Sequence, residues 1–220
     1  MSPSTAPDER PLRADARQNV EQILQVAQEV FADLGYQASI AEVARRSGLG
    51  MGTIYRHFPN KTTLVERIAI KVMQESLAEV RLALAEEPAA WHPFTRVVRH
   101  MMRLRSGQLF PVSRGRAKEP GPELAGVRTE LLTALEDLVV RTQRAGALRD
   151  DVNAFDVVLM LNSIPPRLPD DEDGSATADL ADRHIGVLLD GLRAPGSETL
   201  AQPAPGRREI DQFFGTVHGL

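Results

Sequence analysis

The stretch SIAEVARRSGLGMGTIYRHFPNK, Ser39 to Lys61, constrains this chain more tightly than any other part of it. Two short amphipathic segments flank Gly48. The first, Ser39 to Arg46, opens on a hydroxyl residue suited to cap a helix and carries Glu42 three positions later, the spacing of a capping box. Its apolar face is Ile40, Val43 and Ala44. Gly48 supplies a residue that takes positive φ without steric cost, as a sharp turn between two helices requires. The second segment, about Gly50 to Phe58, turns Leu49, Ile54 and Phe58 inward. Its outward positions are Met51, Gly52, Thr53, Tyr55, Arg56 and His57, with no acid among them.

Two helices of about two turns joined by a glycine-containing turn make a helix-turn-helix. The charge distribution agrees with that reading. From Val43 to Lys71 the cations Arg45, Arg46, Arg56, Lys61, Arg67 and Lys71 face the single acid Glu66, a local balance of +5 in a chain of net charge −4, so the remainder carries −9. A basic patch confined to one module of an acidic molecule favours contact with a polyanion at that patch alone.

The same residues resemble the DNA-binding domain of TetR-type transcriptional regulators. The resemblance runs from Arg13 to Leu64 and is carried by Phe31-Ala32-x-x-Gly35-Tyr36, by Ile40-Ala41-x-x-Ala44, and above all by the run from Gly52 through Thr53, Ile54, Tyr55, Arg56, His57, Phe58, Pro59 and Asn60 to Lys61. It covers about a quarter of the chain, and nothing beyond about Ile70 resembles a subfamily closely enough to name a ligand. It implies that Ser39 and Tyr55 contact phosphates. Thr53, Arg56 and residues 51 and 52 would face the groove, and Lys61 would hold a backbone phosphate. With the basic neighbours Arg46 and His57, these make the expected DNA-binding set.

A chain of 220 residues can bury a sizeable core and form one or two domains. It has no cysteine, hence no disulfide framework, thiolate metal site or cysteine nucleophile, which fits a reducing compartment. The opening MSPSTAPDERPLR has no apolar core of the signal-peptide kind, and no apolar run approaches the roughly 18 residues of a spanning helix. A cytoplasmic protein with no membrane contact is the simplest expectation.

The composition and periodicity predict an all-α fold. Residues 1–12 are expected to be a disordered arm and 13–60 the helix-turn-helix domain. Residues 61–193 should form a helical regulatory and dimerisation domain, and 194–220 a flexible tail. The first helix is expected from Ala14 to Leu34, closed by Gly35. Asn60 should cap a helix reaching about Glu86, some 39 Å at 1.5 Å per residue, long enough to enter the second domain as a lever. Beyond Pro88 helices are expected over about 92–106, 108–113, 122–146, 153–163 and 177–192, with a loop between Pro165 and Ala176 and a short terminal turn over 209–217.

Other chemistry finds little support. The glycines at 48, 50 and 52 follow a helix rather than a strand and lack the Lys-Ser/Thr pair of a phosphate-binding loop. The five histidines never take zinc-pair spacing, and the run Asp170 to Gly174 lacks the closing ligands of a calcium loop, so no metal and no cofactor is expected. No nucleophile elbow or catalytic triad order appears, so no enzyme is expected either. From Arg96 to Lys118 seven cations occur with no acid. They read either as a site for an anionic effector or for further phosphates, or as a solvated face paired with acids elsewhere. Trp91, Phe94, Met101, Met102, Phe110 and Phe155, with Arg103, mark as a set where a pocket for a small-molecule effector is sought, although each apolar residue alone is more often plain core.

These observations predict a double-stranded-DNA-binding regulator, acting as a homodimer on a palindromic site and released by an effector as a repressor. One recognition helix reads only a few base pairs, so useful specificity calls for a second copy across a two-fold axis. Leu180, His184, Val187, Leu188 and Gly191, on one face of the last long helix, are the expected dimer interface. The alternatives are an adaptor or ligand-binding protein that keeps the helix-turn-helix for protein contacts, and an enzyme with an accessory DNA-binding module. An activator fits the sequence as well as a repressor does.

Overall fold

The computed structural model describes residues 9–35, 37–86, 91–104, 121–162, 175–195, 198–206 and 209, and these contain eight helices and no strand. The chain divides into two compact units, 1–64 and 65–220.

In the first unit α1 spans Glu9–Leu34, α2 Ile40–Ser47 and α3 Met51–His57. Helix α1 starts five residues before the expected Ala14, so residues 9–12 are helical and not part of a disordered arm; residues 1–8 lie outside the described part. Pro11 explains why the sequence misleads: within a first turn its missing N–H breaks no intrahelical bond. Ile23, Leu24, Ala27, Val30 and Phe31 repeat at helical spacing and are buried. Gly35 ends the helix at φ 72°, donating to Phe31 O at 3.0 Å. Ile40, Val43 and Ala44 of α2 and Ile54 of α3 complete the core with Phe58 and Leu64. Helix α2 packs on α1, and α3 on α2.

Helix α4, Lys61–Ala85, begins in the first unit and continues into the second. Asn60 caps it as expected, its Oδ1 accepting from Thr63 N at 2.9 Å. The second unit adds α5 (Trp91–Arg103), α6 (Pro122–Arg144), α7 (Ala154–Asn162) and α8 (Ser175–Gly191). Helix α8 takes in residues 175 and 176, which the sequence assigned to a loop. Pro88, the short helix expected over 108–113 and nearly all of the expected terminal turn over 209–217 lie outside the described residues. Phe94, Val97, Val98 and Met101 of α5 meet Leu131, Leu135 and Leu138 of α6, Phe155 and Val158 of α7, and Ile185 and Leu189 of α8 in one core.

Helices α4 and α6 run in the same direction with their ends tied. Glu66 Oε1 accepts from Gly121 N at 3.0 Å, and Arg67 pairs with Glu123 at 2.8 Å. At the other end Arg141 donates to the carbonyls of Leu84 and Glu86. A carboxylate at the start of α6 and a guanidinium at the end of α4 each sit where the helix dipole favours that charge. Gly121 allows this closeness, since a Cβ there would lie 2.5 Å from Glu66 Oε1.

Within the tail expected to be flexible, described residues as far as Pro205 hydrogen-bond to the second unit's helical part. Ala194 N donates to Ala147 O at 3.2 Å, Arg149 donates to Glu198 O at 2.7 Å, Leu200 N donates to Asp151 at 2.8 Å, and Asn153 donates to Pro205 O at 2.7 Å. Pro- and Gly-rich composition hides these bonds because their partners lie some 50 residues away. The Arg149 guanidinium, then the Leu200 N–H, hold the Asp151 carboxyl well below its ordinary range. A depressed carboxyl contributes stability at neutral pH that is lost as pH falls below about 4 toward its folded value. Hydrogen exchange at Leu200 is therefore expected to accelerate as pH falls through that window, after correction for intrinsic rates, and Asp151→Asn should show the faster rate already at pH 7.

Candidate nucleic-acid interface

The local sequence sets the position of α3. Ser39 stands at φ −89° and ψ 155° and accepts from Glu42 N at 3.2 Å, the N-cap expected of it. Gly48 closes α2 at φ 69°, and the chain re-enters a helix at Gly50, whose carbonyl accepts from Thr53 N at 2.9 Å. Ile54 is fully buried, Met51, Gly52, Tyr55 and Arg56 are exposed, and Thr53 is half-buried. A Cβ at Gly52 would meet only open space, so nothing inside the molecule calls for a glycine there.

Three of the expected contact residues have partners or burial that the sequence did not announce. Arg46 is held between Asp33 and Glu42, each at 2.8 Å. Glu42 also takes Arg45 at 2.7 Å, and its carboxyl is lowered to about 2 by Arg45 first and Arg46 second. His57 is half-buried rather than outward, with its Nε2 buried and unpaired. Lys61 is half-buried too; its Nζ stands 5.6 Å from the Phe31 ring centroid, and burial lowers its pKa. Ser39 is exposed, and its hydroxyl keeps a proton to donate. Sequence reasoning missed Gln22, which donates to Ser47 O at 2.9 Å from 25 residues away; no local pattern signals such a bond.

In the second unit the expected pocket residues come together as packed core. Phe94, Met101 and Phe155 are buried, Trp91 and Met102 pack half-buried against them, Arg103 is exposed, and Phe110 lies outside the described residues. A polar cleft of about 390 Å³ lies elsewhere, between the α6–α7 turn and Ala194, Pro195, Glu198 and Thr199, and none of the expected residues lines it. Within the basic run Arg96 pairs with Glu79 at 2.6 Å and Glu86 at 2.5 Å, and Arg99 pairs with Asp182, so these two take the ion-paired reading. The residues from Arg105 to Lys118 lie outside the described part. On α8, Leu180 and Val187 are 42% and 62% exposed, His184 and Leu188 are half-buried, and Gly191 is exposed. No helix among the described residues is long and apolar enough to cross a membrane.

A recognition-type helix with an acid-free outer face, launched by a glycine turn from a capped helix, defines a helix-turn-helix DNA-binding protein. The comparisons with known proteins agree. Residues 23–68 match the model of bacterial regulatory proteins of the tetR family, and 89–194 match that of the SbtR-like transcriptional regulator C-terminal domain. A TetR transcription regulatory protein from Mycobacterium vanbaalenii is 31% identical with a TM-score of 0.57, over 84% of this chain and all of that one. An HTH-type transcriptional regulator of Staphylococcus aureus, SAR0097, is 35% identical over 36% of this chain and 42% of its own length, so this chain spans less than half of that relative. FadR of Bacillus subtilis, solved in complex with stearoyl-CoA, is similar in fold alone, at 17% identity and TM-score 0.51 over 78% of this chain and 98% of that one. This chain belongs to the TetR family of transcriptional regulators.

The two turn-region glycines should respond oppositely to the same change. Gly48→Ala is expected to cost about 1–2 kcal/mol, because alanine is strained at positive φ. Gly52→Ala should stabilise by about 0.5 kcal/mol in urea titrations, because glycine inside a helix is entropically costly.

Proposed function

We propose that the chain is a repressor that binds a two-fold symmetric operator as a homodimer and is released by a small-molecule effector. The observation that carries this reading is the outer face of α3, with Tyr55 46% exposed beside Gly52 and Arg56. Tyr55 and Ser39 donate hydroxyl protons to phosphates, and Lys61 holds a third. Met51, Gly52, Thr53 and Arg56 enter the major groove, where bare Gly52 lets the backbone come close. His57 lends its exposed edge to this surface, and Arg46 adds positive charge beside it.

Dimerisation is supported by α8. Its inner face buries Ile185 and Leu189, while Leu180 and Val187 form an exposed apolar stripe with His184 and Gly191, edged by Leu188, which is half-buried against the core. Covering that stripe with its copy gives the two-fold pair that a symmetric site requires, with recognition helices about 34 Å apart.

The effector site is placed around Trp91, Phe94, Met101, Met102 and Phe155, with Arg103 at its edge. Since these side chains are packed, the effector selects a conformer in which they part, a population shift. Helix α6 holds both ends of α4 through Glu66 and Arg141, so rearrangement beside α6 is passed to α4, which leads into the first unit. A small, largely apolar molecule suits those walls; the fold neighbour FadR was solved with stearoyl-CoA. A regulator acting on operator DNA would work in the cytoplasm.

Fluorescence anisotropy on a preferred and a scrambled duplex tests the assignment. Lys61→Ala should weaken binding to both and lower the slope of log affinity against log salt by about one. Thr53→Ala and Arg56→Ala should instead reduce discrimination by about 1–3 kcal/mol per lost base contact. An unchanged slope for Lys61→Ala would remove its phosphate role, and absence of duplex binding by the folded wild-type chain would favour the adaptor. For the interface, the double change Leu180→Glu with Val187→Glu should leave a folded monomer in sedimentation and lower operator affinity on the order of 100-fold. A dimer that survives it places the interface elsewhere.

A further inference from the structure

Helix α3 is fixed by Ile54 within it, by Phe58 at its end, and by the turn that launches it. Two buried side chains set its depth, and the turn sets its direction. That turn is gripped from α1 at two places. Gln22 Nε2 donates to Ser47 O at 2.9 Å, satisfying one of the end carbonyls of α2 that no intrahelical donor reaches. Ser47 Oγ in turn donates to Ala44 O at 3.2 Å and accepts from Leu49 N at 3.4 Å, tying the turn to the helix behind it. Asp33, near the other end of α1, accepts from Arg46 at 2.8 Å. Gln22 is exposed, so exchanging it leaves the core intact.

We infer that Gln22 and Asp33 are positioning residues for DNA recognition: by holding Ser47 O and the Arg46 guanidinium they fix the end of α2 and the direction in which α3 leaves it. Arg46 then serves chiefly as the grip for Asp33. The inference rests on the reading of α3 as the helix that enters the groove, and it concerns specificity more than affinity. A base-edge hydrogen bond weakens steeply with angle, whereas attraction to a phosphate decays over a Debye length of about 8 Å and tolerates a small tilt. Loosening the bracket therefore removes discrimination first.

The test uses the full-length chain, a duplex it prefers within a random pool, and a scrambled duplex of the same length. Gln22→Met keeps the side-chain length and removes the donor; Asp33→Asn removes one of the two carboxylates that hold Arg46 and leaves it with Glu42 alone. Gln22→Met is expected to lower the preference about 5- to 10-fold, as the loss of one hydrogen bond allows, with binding to the scrambled duplex changed less than about 2-fold. Asp33→Asn should lower the preference while strengthening binding to the scrambled duplex and steepening its salt slope by up to about one. Asp33→Glu, which keeps the carboxylate, should stay near wild type. Circular dichroism establishes that each variant is folded at the assay temperature, where a role confined to stability would leave the preference unmoved. A wild-type preference that survives both Gln22→Met and Asp33→Asn overturns the inference alone. A folded wild-type chain with no preference for any duplex overturns the reading of α3 and the inference together.

Discussion

Helix α3 has seven residues, while an isolated helix in water needs about 12–15 before it is even marginally stable. It holds its shape only because Ile54 and Phe58 are buried and because the Gly48 turn delivers the chain at the right angle. Everything else in the first unit follows from that dependence. Helix α1 supplies the long apolar stripe, α2 packs on it, and α3 packs on α2. Buried anchors on one side free the opposite side to carry residues that contribute nothing to folding, including a glycine that costs helix stability.

Electrostatics divides the labour between the two units. Outside the Val43–Lys71 stretch the chain is strongly acidic, and the described arginines of the second unit's basic run are largely spent within it: Arg96 on Glu79 and Glu86, Arg99 on Asp182. The exposed cation Arg56 on α3 lies within the one stretch whose local balance is positive, which suits the proposed contact with a polyanion there. The charges between α4 and α6 do mechanical work instead. Glu66 at the start of α6 and Arg141 at the end of α4 cap each other's helices, so neither helix shifts along its axis without uncovering backbone groups at both ends. That coupling supports the proposed effector response, in which a rearrangement beside α6 is felt by α4.

What could be read from the sequence is what local rules govern. The Ser39 cap, the Gly35 and Gly48 turns and the Asn60 cap each depend on residues at most four apart, and each stands where the sequence placed it. Helix boundaries fell within a few residues, except at Glu9, where the helix begins inside the stretch expected to be a disordered arm. Long-range pairing stayed hidden. Nothing near Arg46 announces Asp33, nothing near Gln22 announces Ser47 O, and the linker-like composition after 194 conceals its attachment to Arg149 and Asp151. His57 also escaped, because helical spacing locates a side chain around the axis without telling how high the neighbouring surface rises. The Met and aromatic residues of the second unit illustrate a different limit. Core and pocket walls are built from the same residue types, and Phe94 and Met101 are packed as core.

The account stands on α3 reading duplex DNA as one of a symmetric pair. Its most direct test is selection of bound duplexes from a random library by the full-length chain at about physiological salt. The account predicts enrichment of a two-fold symmetric site whose half-sites are centred about 10 base pairs, or a multiple of that, apart. Enrichment of a single asymmetric half-site would contradict the paired reading, and no enrichment by a folded, dimeric chain would contradict DNA recognition by α3 itself.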